Sequence, residues 1–142
     1  TLQGLQDVLN SNLELNSNSI VEVRNNFIVY GSVDTGDGTT VTLFSDGTST
    51  SSLVVNGMMN LESNMVFLQS FTRLEAQSIF ANNTEILSYG FISTLTGEME
   101  LSNSRLQLLK GSNLQSAGDI ILLEGTIISA GFNSQIMVKI FI

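Results

Sequence analysis

The chain has 142 residues, with five basic and thirteen acidic side chains and a net charge of −8; only 13% of it is charged, against roughly 25% in an average soluble domain. The five cations, Arg24, Arg73, Arg105, Lys110 and Lys139, are scattered, so no clustered positive field meets the phosphates of a nucleic acid or an anionic membrane. With no Cys and no His there is no disulfide framework, no thiolate metal site and no Ser–His or Cys–His relay, and no apolar run approaches the roughly 20 residues that span a bilayer.

The first predicted element is a short N-terminal helix within residues 1–12. Leu2, Leu5, Val8 and Leu9 fall at i, i+3, i+6 and i+7, one face of a helix. A helix this short is marginal alone in water. Its stripe is therefore expected to pack on the rest of the chain or on the same helix in neighbouring subunits, which makes these four residues the predicted oligomer interface. The first residue is Thr1 rather than Met, which fits a processed chain or a piece of a longer one.

From Leu13 to the end the period changes to two, and residues 13–142 read as one repetitive β domain. Leu13 and Leu15, Val21 and Val23, Phe27 and Val29, Val41 and Leu43, Leu53 and Val55, Met65 and Phe67, Met99 and Leu101, and Leu106 and Leu108 each alternate with other residues. Shorter apolar groups follow at Ile86-Leu87, Phe91-Ile92, Ile120 to Leu123 and Ile127-Ile128. The last predicted strand sets Ile136, Val138, Ile140 and Ile142 against Met137, Lys139 and Phe141.

Between these runs lie Asn, Ser, Asp and Gly clusters such as Asn16 to Ser19, Asp34 to Gly38, Ser45-Asp46-Gly47 and Asn56-Gly57. Asp-Gly and Asn-Gly are strong hairpin signals because both residues take positive φ readily. From Asn60 on, strand plus turn repeats every 7–10 residues or so, closer than the roughly 8–12 of a sandwich. No strict repeat of letters is visible. The texture does recur, as in Asn60 to Met65 and Glu100 to Leu106, and stacked layers of short strands look like this. The expected class is all-β, as a β-helix-like or trimeric fibre arrangement, with a sandwich as the alternative.

Chemistry-bearing motifs are few. Asp34-Thr35-Gly36 matches the aspartic-protease tripeptide, but Asp37 follows where that family has Ala or Ser, so a solvated glycine-rich turn is the expected reading. Asp34, Asp37 and Asp46 match no Ca²⁺-loop spacing. Glu62, Glu75, Glu85, Glu98 and Glu100 are expected on solvated strand faces rather than as a glycosidase pair. Lys110 or Lys139 could pair with a Ser, though no motif supports it. Asn82-Asn83-Thr84 is a glycosylation sequon, and Met58-Met59 is expected to fill gaps in the core. No catalytic residue, metal or cofactor is predicted. Tyr30 and Tyr89 are the candidate stacking surfaces for a glycan, the Phe residues being expected mostly at core positions.

Leu5-Gln6-Asp7-Val8-Leu9-Asn10, opening onto Asn/Ser/Gly-rich alternating strands, resembles segments of bacteriophage tail fibres and related virion appendages. The resemblance implies a homotrimeric fibre or spike, located on the virion or otherwise extracellular. It would join other virion proteins and serve structure or host attachment, with a host receptor or glycan as possible partner. The rival expectation is a small β-sandwich or β-helix that binds a ligand such as a glycan, through an exposed cluster containing Tyr30 or Tyr89.

Overall fold

The computed structural model describes residues 6–138. Within them the chain winds as a β-solenoid of about six coils. Each coil contributes one short strand, or half of a bent one, to each of three faces. The first face stacks β1 (Gln6–Leu9), β4 (Asn26–Val29), the first half of β7 (Ser51–Glu62), the first half of β9 (Thr72–Asn82), β11 (Phe91–Thr94), β14 (Asn113–Ser116) and β17 (Gln135–Val138). The second stacks β2 (Leu13–Leu15), β5 (Val33–Thr35), the second halves of β7 and β9, β12 (Met99–Ser102) and β15 (Ile120–Leu122). The third stacks β3 (Ile20–Val23), β6 (Thr40–Leu43), β8 (Met65–Leu68), β10 (Glu85–Ser88), β13 (Arg105–Leu108) and β16 (Ile127–Ala130).

The alternating residues dictate this arrangement. In each strand one set of side chains must leave water, and stacking coil on coil puts equivalent positions in register. On the first face Phe27, Leu53, Leu74, Ile92 and Leu114 form one inward ladder. On the second, Val33, Met59, Ile79 and Met99 do the same. On the third, Val41, Val66, Ile86 and Leu106 complete the interior. Burying one such side chain contributes about 1.5–3 kcal/mol, and each rung supports only its neighbours.

The register steps set a coil of about twenty residues, twenty along most of the second and third faces and 22 between Phe91, Asn113 and Gln135 on the first. Leu13 pairs with Val33, Met59 with Ile79 and Ile79 with Met99; Met65 pairs with Glu85 and Glu85 with Arg105. Two departures matter. The second coil carries a longer corner, residues 44–50, which separates Asn26 from its partner Ser52 by 26 positions. In the fourth coil Arg73 pairs with Phe91, a step of only 18. The next corner restores the missing two residues, because Phe91 to Met99 is eight positions where Arg73 to Ile79 is six.

The corner between the second and third faces is a column of left-handed residues: Asn18, Gly38, Ser63, Asn83, Asn103 and Gly125. Asn and Gly suit it because they reach positive φ with least strain. Asn83 Nδ2 donates to Ser63 Oγ at 3.2 Å and Asn103 Nδ2 to Asn83 Oδ1 at 3.4 Å, linking coils at the surface. Just inside runs a buried polar row of Thr39, Asn64, Thr84 and Ser104. The Asn64 N–H donates to Thr84 Oγ1 at 3.3 Å and the Thr84 N–H to Ser104 Oγ at 3.0 Å, so interior hydroxyls satisfy backbone groups that cannot reach water.

Three expectations need correction. The N-terminal helix is absent: Gln6–Leu9 is strand β1, paired in parallel with β4. Leu2 and Leu5 lie outside the described residues. Val8 is exposed and Leu9 packs against the core, so as strand neighbours they point to opposite sides and share no stripe. Second, the Asn-Gly and Asp-Gly signals turn corners rather than hairpins, since every described strand pairing is parallel and each turn passes the chain to another face. Third, of the seven described Phe residues only Phe27 is buried. The narrow space between three converging faces is filled by Val, Leu, Ile and Met, which leaves the rings outside.

Candidate functional site: an aromatic notch at one corner

The corner between the third and first faces is a four-residue turn in three of the described coils. It reads Gln69-Ser70-Phe71-Thr72 in the third coil, Leu109-Lys110-Gly111-Ser112 in the fifth and Gly131-Phe132-Asn133-Ser134 in the sixth. The third position is left-handed each time, with φ of 60° at Phe71, 76° at Gly111 and 58° at Asn133. Thr72 Oγ1 and Ser112 Oγ each donate back to the first carbonyl of their turn, at 2.6 and 2.7 Å.

The fourth coil, like the first at Arg24-Asn25, omits this turn. It crosses the corner with Tyr89-Gly90 alone, and the loss of two residues produces the step of 18 described above. Gly90 lies against the third coil so closely that a Cβ there would sit 2.4 Å from the Thr72 carbonyl oxygen. The short corner leaves a notch of about 370 Å³ between the protruding turns of the third and fifth coils, lined by Phe71, Arg73, Tyr89, Phe91, Lys110 and Asn113 among others. Phe71 and Tyr89 also border a cavity of about 480 Å³ with Asp46, Phe67 and Gln69. On the other side, Arg73 and Phe91 continue into a groove of about 630 Å³ along the first face.

The rings and charges around the notch are held in place. The Phe67 and Tyr89 rings meet edge to face at 6.4 Å. The Arg73 guanidinium lies 4.9 Å from the centre of the Phe91 ring and pairs with Glu75 Oε1 at 3.1 Å. Phe71 is 64% exposed and Tyr89 is 42% exposed. A Phe at positive φ is an outlier among L residues, where the left-handed region costs roughly 1–2 kcal/mol. Phe71→Asn puts into this turn the residue that the sixth coil uses at Asn133. It is expected to raise the unfolding free energy by about 1 kcal/mol, measured by urea denaturation.

The loop of residues 44–50 forms one rim of the cavity beside the notch. Asp46 Oδ1 accepts from the Thr48 N–H at 2.8 Å, Thr48 Oγ1 at 2.7 Å and the Ser49 N–H at 3.2 Å. The Thr48 hydroxyl first, then these amides, hold the Asp46 carboxyl below its ordinary value. The carboxylate is the form these donors stabilise. The ordering it gives the loop is therefore complete above the unfolded-chain pKa and disappears as pH falls through the lower folded value. The protection of the Thr48 and Ser49 amides, as the intrinsic exchange rate at each pH divided by the observed one, should be lost only once the pH drops below the usual carboxylate range.

The remaining candidates are dispersed. Asp34 points outward on β5 and accepts from Asn60 Nδ2, while the neighbouring Thr35 is buried and donates to Asn64 Oδ1. Asp34, Asp37 and Asp46 do not converge, and among the described residues no group of three Asp or Glu side chains is placed to hold a metal ion. Glu75 is engaged with Arg73, and Glu62 Oε1 accepts from Asn82 Nδ2 at 2.8 Å. Glu85 faces out between Met65 and Arg105, and Glu98 and Glu100 sit at or on β12. Met59 is in the core and Met58 is half-exposed. Tyr30 is exposed. Lys110 lies in the notch, and Lys139 lies outside the described residues.

Sequence reasoning singled out Tyr89 but missed Phe71, Arg73 and Phe91. One signal was present: Gln69-Ser70-Phe71-Thr72 has the polar frame of a turn, with a ring where Gly or Asn belongs. No family model matches the chain, and neither a curated protein nor a solved structure does.

Proposed function

We propose that the chain is a structural segment of an extracellular appendage, most closely a bacteriophage tail fibre or spike, working as a homotrimer. The observation that carries this reading is the set of unbroken ladders running through the coils. A parallel solenoid grows by about 4.8 Å per coil at constant cross-section, which is the property a shaft needs. Scarce charge and abundant Asn, Ser and Thr fit a body whose faces are covered by neighbouring copies. Outward Ile20, Met65 and Ile127 on the third face, together with Val8, supply apolar surface for such contacts.

Light scattering coupled to size exclusion tests the assembly. A particle of three times the 15.3 kDa chain mass is expected, and Val8→Asp should reduce it to single chains. A wild-type monomer at micromolar concentration would remove the trimer. A second reading, a ligand-binding solenoid, is favoured by the exposed ring cluster at Phe71 and Tyr89 and is compatible with a shaft that displays a binding face.

A further inference from the structure

We infer that the notch between the third and fifth coils binds an acidic saccharide, with sugar rings against Phe71 and Tyr89 and a sugar carboxylate against Lys110. The inference rests on the ligand-binding reading above and is separate from the assembly, since a trimer that ignores saccharides would refute this idea and leave the assembly intact.

Three independent features converge at one place. The first is conformational. Equivalent turns in later coils fill the left-handed position with Gly111 and Asn133, whereas this turn holds a solvent-facing ring there. A residue kept against its backbone preference on the surface contributes nothing to the core, and such strain concentrates at ligand clamps. The second is electrostatic. Two of the five cations, Arg73 and Lys110, line this notch in a chain of net charge −8. Arg73 is partly neutralised by Glu75, whereas Lys110 makes no ion pair among the described residues. The third is the rim: Thr50, Ser70 and Asn113 offer neutral hydrogen-bonding groups around the rings.

A sugar has an apolar C–H face for a ring, hydroxyls for a polar rim and, where one residue of the saccharide is a uronic or similar acid, a single carboxylate for Lys110. Other occupants fit less well. An apolar peptide would strip water from Lys110, Ser70 and Asn113 without replacing it. A polyphosphate would meet the repulsion of the whole chain with one unpaired cation to offset it. From Phe71 to Lys110 the notch spans two coil spacings, about 10 Å, which suits a short oligosaccharide.

The test is an array of oligosaccharides in which each carboxylated member has a neutral counterpart, followed by calorimetry on the members retained. The full chain should retain carboxylated members and pass over their counterparts. Phe71→Asn and Tyr89→Ala should each weaken binding at least tenfold, with thermal unfolding showing both variants folded. Lys110→Gln should abolish the preference for the carboxylated member. Retention of no saccharide, equal retention of both members of each pair, or wild-type affinity in both ring variants would overturn the proposal.

Discussion

Leu74→Ala is expected to lower the free energy of unfolding by about 3–4 kcal/mol. Leu74 is fully buried at the middle of the first-face ladder, with Leu53 on one side in register and Ile92 on the other. Truncation removes the burial of three carbons and leaves a void that parallel strands, pinned above and below by backbone hydrogen bonds, cannot close. The position also joins two stacks of coils. A solenoid is held by contacts between adjacent repeats, so a defect in the middle weakens the coupling of both halves. Phe132→Ala, which removes a larger side chain from a turn where it is 74% exposed, is the control, with an expected loss under about 1 kcal/mol. Equilibrium urea denaturation of both variants checks the contrast; equal losses would mean that the interior ladder is not where stability resides.

Asn64→Leu should be almost as damaging, at about 3 kcal/mol, although it adds apolar volume. Asn64 is 6% exposed. Its Oδ1 accepts from Thr35 Oγ1 and from the Glu62 N–H at 2.9 Å, and its Nδ2 donates to the Gly36 carbonyl at 3.0 Å. One side chain thus satisfies groups on two successive coils. A leucine forfeits all three bonds, although the Gly36 carbonyl keeps the Thr39 N–H at 3.3 Å and the Thr35 hydroxyl keeps the Asn60 carbonyl at 3.1 Å, and each lost bond costs about 0.5–1.5 kcal/mol. Asn64→Thr should lose less than half as much, because Thr84 and Ser104 fill the same column in the next coils with hydroxyls. The ratio between the two variants, read from the same denaturation curves, separates lost hydrogen bonding from lost shape.

The strands and most corners were legible in the sequence because alternation and Asn/Gly turns act locally. Val21-Glu22-Val23 and Val41-Thr42-Leu43 read as strands on their own, and they are adjacent rungs of the third face. The twenty-residue coil was harder to see. Residues 44–50 interrupt it, the step of 18 at Phe91 shifts it, and stacking asks only for similar shape, so Val33, Met59, Ile79 and Met99 share a ladder without sharing letters. The two segments with matching texture, Asn60 to Met65 and Glu100 to Leu106, prove to be two coils apart at the same corner. The N-terminal segment misled because Leu2, Leu5, Val8 and Leu9 satisfy a helical spacing, while Val8 and Leu9 also fit a strand with one residue on each side. At the candidate site Tyr89 was visible by its residue type. The notch itself was not, because it arises from a difference in corner length between coils, which appears only once the coils are aligned.

That difference in length has a further effect. The fourth coil surrenders two residues at one vertex and recovers them at the following one, so the rungs downstream resume their alignment as though nothing had changed. Alterations in vertex length are therefore absorbed within a single layer, and the outline of the body can be recontoured there while the stacking beneath stays the same. The depth of the recess is accordingly set by how many residues cross the vertex, and its chemistry by which side chains the flanking layers present.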